Sequence, residues 1–270
     1  MSTRTEVAPG PVPGVIAAVR SEAAKLTWRS PAIVAGVPLA VAVPLVVNSV
    51  IAEAVQRNTI NGAGGMDTGN AAYWVLVFST YILVSGVVYS TAGEFGNGTI
   101  DLVFARRPRR WLLPAAKVAV FGALAAVTSA VTVALLMLVF PLLYPDTWGR
   151  VDLFSGAGIR LWCGIPLYMV LVTLLGVGLA TLLPKPGLVL MLLLLWRFGV
   201  ETFVTFIRGD LGLVVQRWSP FRNADLGVGQ LSTITSPFGG PNGSLAYFGV
   251  ICGLVFAAGV WKTVRADICR

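Results

Sequence analysis

Histidine is absent from this sequence, and with it the commonest general base near neutral pH and the commonest metal ligand. Cysteine is scarce: Cys163 and Cys252 lie in apolar runs and Cys269 near the last residue, with no CxxC spacing. That pattern excludes a disulfide framework and supplies no zinc site. Charge is thin as well, at 12% of residues against roughly 25% in a soluble domain. There is no Walker A sequence. Lys262-Thr263 looks like its end, but Trp261 stands where glycine is required, so the chain cannot cradle nucleotide phosphates in a P-loop. The opening MSTRTEVAPGPVPG has no apolar run behind a basic start, which reads as no signal peptide and a disordered segment over residues 1–13. These absences weigh against a metalloprotein, a secreted domain and an enzyme acting at neutral pH.

What is present is apolar sequence in long runs. Stretches of about 20 apolar residues recur, each long enough to cross a bilayer. A soluble helix would show a polar face, and Leu161–Leu183 shows none. The sequence predicts an all-α polytopic membrane protein, one domain over residues 1–270, with a six-span bundle over 31–261. The spans fall at Pro31–Ala52, Ala71–Ser90, Trp111–Leu143, Ile159–Leu183, Gly187–Ile207 and Leu245–Trp261. Pro38 and Pro44 should kink the first. Before it, residues 14–29 read as an amphipathic interfacial helix, with Val15, Val19, Ala23 and Leu26 on one side and Ser21, Glu22, Lys25 and Arg29 on the other. Between spans five and six, Leu211–Val215 and Trp218–Phe221 predict short helices in or dipping into the outer interface. Asn48, Thr128, Ser129 and Thr132 read as glue between helices. Gly176 and Gly178, with the Gly158 to Gly164 region, suggest close packing and a dimer face. Trp74, Trp111, Trp148, Trp162 and Trp261 read as interfacial anchors.

Charge asymmetry orients the bundle. Arg4, Arg20, Lys25, Arg29, Arg106, Arg107, Arg109, Arg110, Lys117, Lys185, Lys262, Arg265 and Arg270 fall on one side of a six-span alternation. Only Arg57, Arg150, Arg160, Arg208, Arg217 and Arg222 fall on the other. The positive-inside rule makes the first side the cytoplasm, with both termini there and residues 262–270 as a cytoplasmic tail. The cations thus serve topology and contact with membrane lipids. No basic patch interleaved with exposed aromatics points to nucleic acid.

The densest charge lies between spans two and three. There the sequence reads Gly93-Glu94-Phe95-x-x-Gly98-Thr99-Ile100, then Pro108-Arg109-Arg110, then Lys117 opening the next span. This resembles the ABC-2 type permease family, whose bacterial members often show GEYxxGTI, a PR(R) element and a following AK at these spacings. Arg20-Ser21-Glu22-Ala23-Ala24-Lys25-Leu26 is similar to the RSExxKL opening common in actinobacterial members. Phe95 departs from the usual tyrosine. The resemblance implies the membrane subunit of an ATP-driven exporter in the plasma membrane, a multidrug-efflux type of role. Two permease chains, identical or different, would form the pathway for a hydrophobic or amphipathic drug, antibiotic or lipid. Two ATP-binding cassette subunits beneath them would hold ATP and Mg, with no cofactor on this chain. In the family the loop after span two contacts the ATPase. Carried over, that places coupling at Glu94, Gly98, Thr99 and Ile100, with Arg106, Arg107, Arg109 and Arg110 beside them. The plainer reading has Glu94 capping a helix and the arginines fixing topology alone.

One cation lies deep in an apolar run. Arg197 sits near the middle of span five, where a cation costs about 2.5–3.5 kcal/mol. Glu201 is four residues on, on the same helix face. The pair predicts a buried ion pair or a lining of the translocation pathway. Two other classes stay open. An ion-driven secondary transporter would show inverted halves and more intramembrane acids, and an intramembrane enzyme would need facing acids or a nucleophile.

Overall fold

The computed structural model of the chain describes residues 14–57, 65–96, 109–207, 209–232 and 234–265. Among these residues the chain is helical, without a strand, and six helices are long and apolar enough to cross a membrane. Helix α1 covers Val15–Ala23. The spans are α2 (Ala32–Gln56), α3 (Thr68–Gly96), α4 (Leu112–Leu143), α6 (Gly156–Leu182), α7 (Pro186–Phe206) and α10 (Pro241–Arg265). A single turn, α5 (Pro145–Trp148), links α4 to α6. Two short helices, α8 (Asp210–Arg217) and α9 (Pro220–Val228), fill the connection before α10.

The span limits agree with the apolar runs to within a few residues, except that α3 extends to Gly96 and α10 starts at Pro241. The added residues are mostly polar or glycine, so hydropathy falls before the hydrogen-bonded helix ends. Proline shapes α2 through a change of helix type. Its first turns, Ala32–Gly36, are π-helical, and Pro38 follows at the start of the α-helical part. The wider turn spares the carbonyl four residues back from facing a proline ring.

Helix α6 is the axis of the bundle. It packs against α4, α10, α3 and α9, and its interior face carries Leu161, Ile165, Tyr168, Met169 and Val172, all fully buried. Glycine permits the closest crossings. A Cβ on Gly178 would stand 2.8 Å from the backbone of Phe256 in α10, and one on Gly176 3.1 Å from Val84 in α3. Gly164 in turn meets the backbone of Val228 in α9. These glycines are therefore occupied by crossings within the chain, which removes them as a dimer face.

The intramembrane hydroxyls and amide also behave differently from expectation. Asn48 donates to Pro44 O, Ser129 to Ala126 O and Thr132 to Thr128 O, each within its own helix. A polar bond across helices comes instead from Ser79, whose hydroxyl donates to Ala40 O of α2. Trp148 is buried against Phe140 rather than anchored at an interface, whereas Trp111, Trp162 and Trp261 are exposed.

The spans alternate in direction, so their ends gather into two sets. At one end lie α1, the starts of α2, α4 and α7, and the finishes of α3, α6 and α10. Lys262 of α10 donates to Leu182 O and Thr181 O, placing a cation on the negative end of α6. At the other end Met66 N bonds Thr147 O, Gln230 bonds Asn70, and Arg160 bonds Gly227 O and Asn242.

Candidate functional site

Two polar centres stand out, one at each end of the bundle. The first is a knot of four charges at the end that holds α1. Ala18 and Val19 pack α1 against Leu112 and Ala116 at the start of α4. Glu22, one turn beyond Ala18, is thereby buried, with its side chain 1% exposed. Opposite stands Lys117 of α4, equally buried, 3.2 Å from Glu22 Oε2 and 3.0 Å from Glu94 Oε1. Its ammonium also donates to Ser90 Oγ at 2.8 Å. Lys25 closes the ring, 2.6 Å from Glu22 Oε1 and 2.7 Å from Glu94 Oε1. Two lysines and two glutamates alternate, so the buried charges balance and each is hydrogen-bonded, the condition under which burial of ions is sustainable.

One sequence expectation changes here. The side of α1 expected to meet lipid headgroups carries the buried Glu22, and of the expected apolar side Val15 and Ala23 are exposed while Val19 and Leu26 pack inward. Packing of Ala18 on α4 sets that rotation. Glu94 lies in the last turn of α3 and, among the described residues, bridges Lys25 and Lys117.

Burial lowers the pKa of Lys25, but its bonds to Glu22 and Glu94 and their negative charge more than reverse this, holding it above its ordinary 10.5. A lysine raised on folding contributes stability that is fully present below its unfolded pKa and is lost only as pH climbs through the folded one. The Lys25 link therefore holds throughout the physiological range.

Of the other expected coupling residues, Arg109 and Arg110 precede α4, Arg109 exposed and Arg110 half-buried. Gly98, Thr99, Ile100, Arg106 and Arg107 lie outside the described residues.

The second centre is at the opposite end. Arg197 is buried, and its guanidinium donates to both oxygens of Asp225 in α9, at 2.7 and 2.9 Å. Its salt-bridge partner is thus Asp225, not Glu201. The reason is local: Leu195–Val200 is π-helical, so residues four apart no longer stack on one face. Glu201 has a different task. Its two oxygens accept the backbone N–H groups of Phe221 and Arg222, each at 2.9 Å, and Oε1 also accepts Trp196 Nε1 at 3.0 Å. These amides belong to the first turn of α9, so Glu201 caps that helix from another element, a favourable place for a carboxylate. Ser219, at the N-cap position, makes no side-chain cap and donates to Val215 O.

Burial pushes the Asp225 carboxyl above the usual carboxylate range, against the pull of Arg197 and Arg222. Arg197, Glu201, Arg222 and Asp225 share the wall of a cavity of about 210 Å³ with Tyr73 and Ser232. Asp225 was missed because 28 residues separate it from Arg197. The usable signal was charge accounting, since a buried cation requires an acid and Asp225 is one of the acids on that side.

Among the described residues no group of three or more metal-ligating side chains gathers. Compared with protein-family models, curated proteins and solved structures, the chain finds no match in any of the three.

Proposed function

We propose that this chain is the membrane-spanning permease subunit of an ATP-driven ABC exporter. Two such chains, identical or different, form a pathway for a hydrophobic or amphipathic compound, and a separate ATP-binding cassette subunit supplies ATP hydrolysis with Mg. The reading rests on the GEFxxGTI and PRR residues between α3 and α4, the absence of a P-loop from the sequence, and the cation asymmetry that puts this loop and both termini in the cytoplasm.

The observation that carries it is the position of Glu94. It ends the helix that enters the loop, and it is bonded to the helix that leaves the loop, through Lys117, and to α1, through Lys25. A displacement applied to residues 97–108 by a docked partner is thereby delivered to α1, α3 and α4 together. The outer cavity at Arg197 and Asp225 would then line or close the far end of the pathway.

The test is purification with the ATPase subunit and transport in proteoliposomes. Transport should need ATP and the partner and stop with vanadate, while collapse of ion gradients leaves it unchanged. Glu94→Gln should keep the complex together and lower ATP-driven transport at least tenfold. Undiminished transport by that variant would remove Glu94 from coupling, and transport driven by an ion gradient without any ATPase would overturn the assignment.

A further inference from the structure

The charge knot forms one end of a groove that the exporter reading does not use. The groove has a volume of about 660 Å³, within the range of about 300–1,000 Å³ typical of ligand sites. Small residues make the room: Ala32, Ala35 and Gly36 on the π-helical turn of α2 face Ser85 and Gly86 of α3. A Cβ on Gly86 would meet Ala32 Cβ at 3.5 Å, so the two helices nearly touch there. Phe121 of α4, 7% exposed, also lines the groove. One end is polar, with Glu22, Lys25, Ser30 and Ser90.

We infer that this groove holds a phospholipid of the leaflet next to α1, with an acyl chain along Ala35, Leu39 and Ile82 and the phosphate at Lys25. Four observations converge on that occupant. The trough is apolar and lies between two spans, where hydrocarbon is the surrounding solvent. Its polar end lies at the residues where α2 begins, which is headgroup depth. The Lys25 ammonium has three donors, of which Glu22 and Glu94 take two, and it is 45% exposed. The two lysines and two glutamates of the knot balance, and exposed Arg29, which precedes Ser30 in the chain, tips that end toward an anion. The lipid phosphate would join the knot that ties α1 to α3 and α4.

The inference stands apart from ATP coupling, and a symmetric bilayer makes it independent of orientation. The full chain is placed in nanodiscs of phosphatidylcholine doped with phosphatidylglycerol or with diacylglycerol of the same chains, then released into mild detergent for native mass spectrometry. One phosphatidylglycerol should stay bound per chain, with diacylglycerol retained at least tenfold less. Ala35→Trp, at an exposed position that fills the trough, should abolish retention with the fold intact by circular dichroism. Lys25→Gln should erase the preference for the phosphate-bearing lipid, and Lys25→Arg should restore it. Equal retention of diacylglycerol, or undiminished retention by Ala35→Trp, would overturn the inference.

Discussion

Arg197 and Asp225 illustrate how a buried charge is made tolerable. The pair is held by two hydrogen bonds to one carboxylate, but its net worth against an apolar pair is small, because both ions were stripped of water. Breaking it is another matter. Arg197→Leu leaves Asp225 without its hydrogen-bonded cation and should lower stability by about 3–5 kcal/mol, whereas Arg197→Leu with Asp225→Leu should recover most of that loss. Thermal unfolding of the purified protein in detergent measures both. The single variant should also gain a pH dependence. Burial already pushes the Asp225 carboxyl up, and loss of Arg197 removes the leading opposing pull. The folded state then binds a proton that the unfolded state releases near neutral pH, so stability of Arg197→Leu should rise as pH falls from 8 to 5. A variant that melts at one temperature across that range would show that Asp225 finds another cation. The sequence revealed that Arg197 needed a partner and suggested Glu201 on helical spacing. The π-helical turn at Leu195–Val200 changed that spacing, and no residue preference announces such a turn.

Helices in this fold are positioned by one another's ends and by bare backbone. Helix α9 is nine residues long, too short to persist on its own, and its first turn is satisfied by Glu201 of α7. Glu201→Gln keeps the shape but removes the charge facing the helix dipole. It should cost about 1–2 kcal/mol, in the range of a lost cap, and raise amide exchange in residues 221–228 before any other region. Uniform exchange across the chain would assign Glu201 a global role instead. At the far side of α9, Gly229 adopts a left-handed conformation, φ 93°, and Gln230 N returns to Asp225 O, closing the helix. The crossing of α6 and α10 depends on Gly178 for a different reason, since any side chain there meets the Phe256 backbone. Gly178→Leu should destabilise by about 1–3 kcal/mol through overpacking, or shift α10 outward, either of which lowers the melting temperature in the same detergent assay. Six apolar runs made the spans legible to within two turns, because length and hydropathy alone decide whether a helix crosses. The partners of each glycine were not legible, since close approach depends on which helices neighbour one another.

For the molecule as a whole, two polar ends separated by an apolar bundle make orientation the decisive property. Glu22, Lys25, Glu94 and Lys117 converge at one end from three elements, and Arg197, Glu201 and Asp225 at the other from two. The motif residues singled out Glu94 and Lys117 in advance. Their convergence with Glu22 was not legible, because spacing placed Glu22 on the polar side of α1 and not against α4. The proposed orientation, drawn from charge asymmetry, puts the knot in the cytoplasm, and labelling tests it. In a variant lacking the three cysteines, Lys185→Cys reports the end of the knot and Thr235→Cys the end of the outer cavity, both at exposed positions. On intact cells a membrane-impermeant maleimide should label Thr235→Cys and spare Lys185→Cys, which should react only after permeabilisation. The converse pattern would turn the loop after α3 away from ATP and end the exporter reading, while labelling of both from one side would refute the six-fold alternation. The proposed lipid site survives the first of these outcomes and changes leaflet, because its groove and its cation travel with the helices that form them.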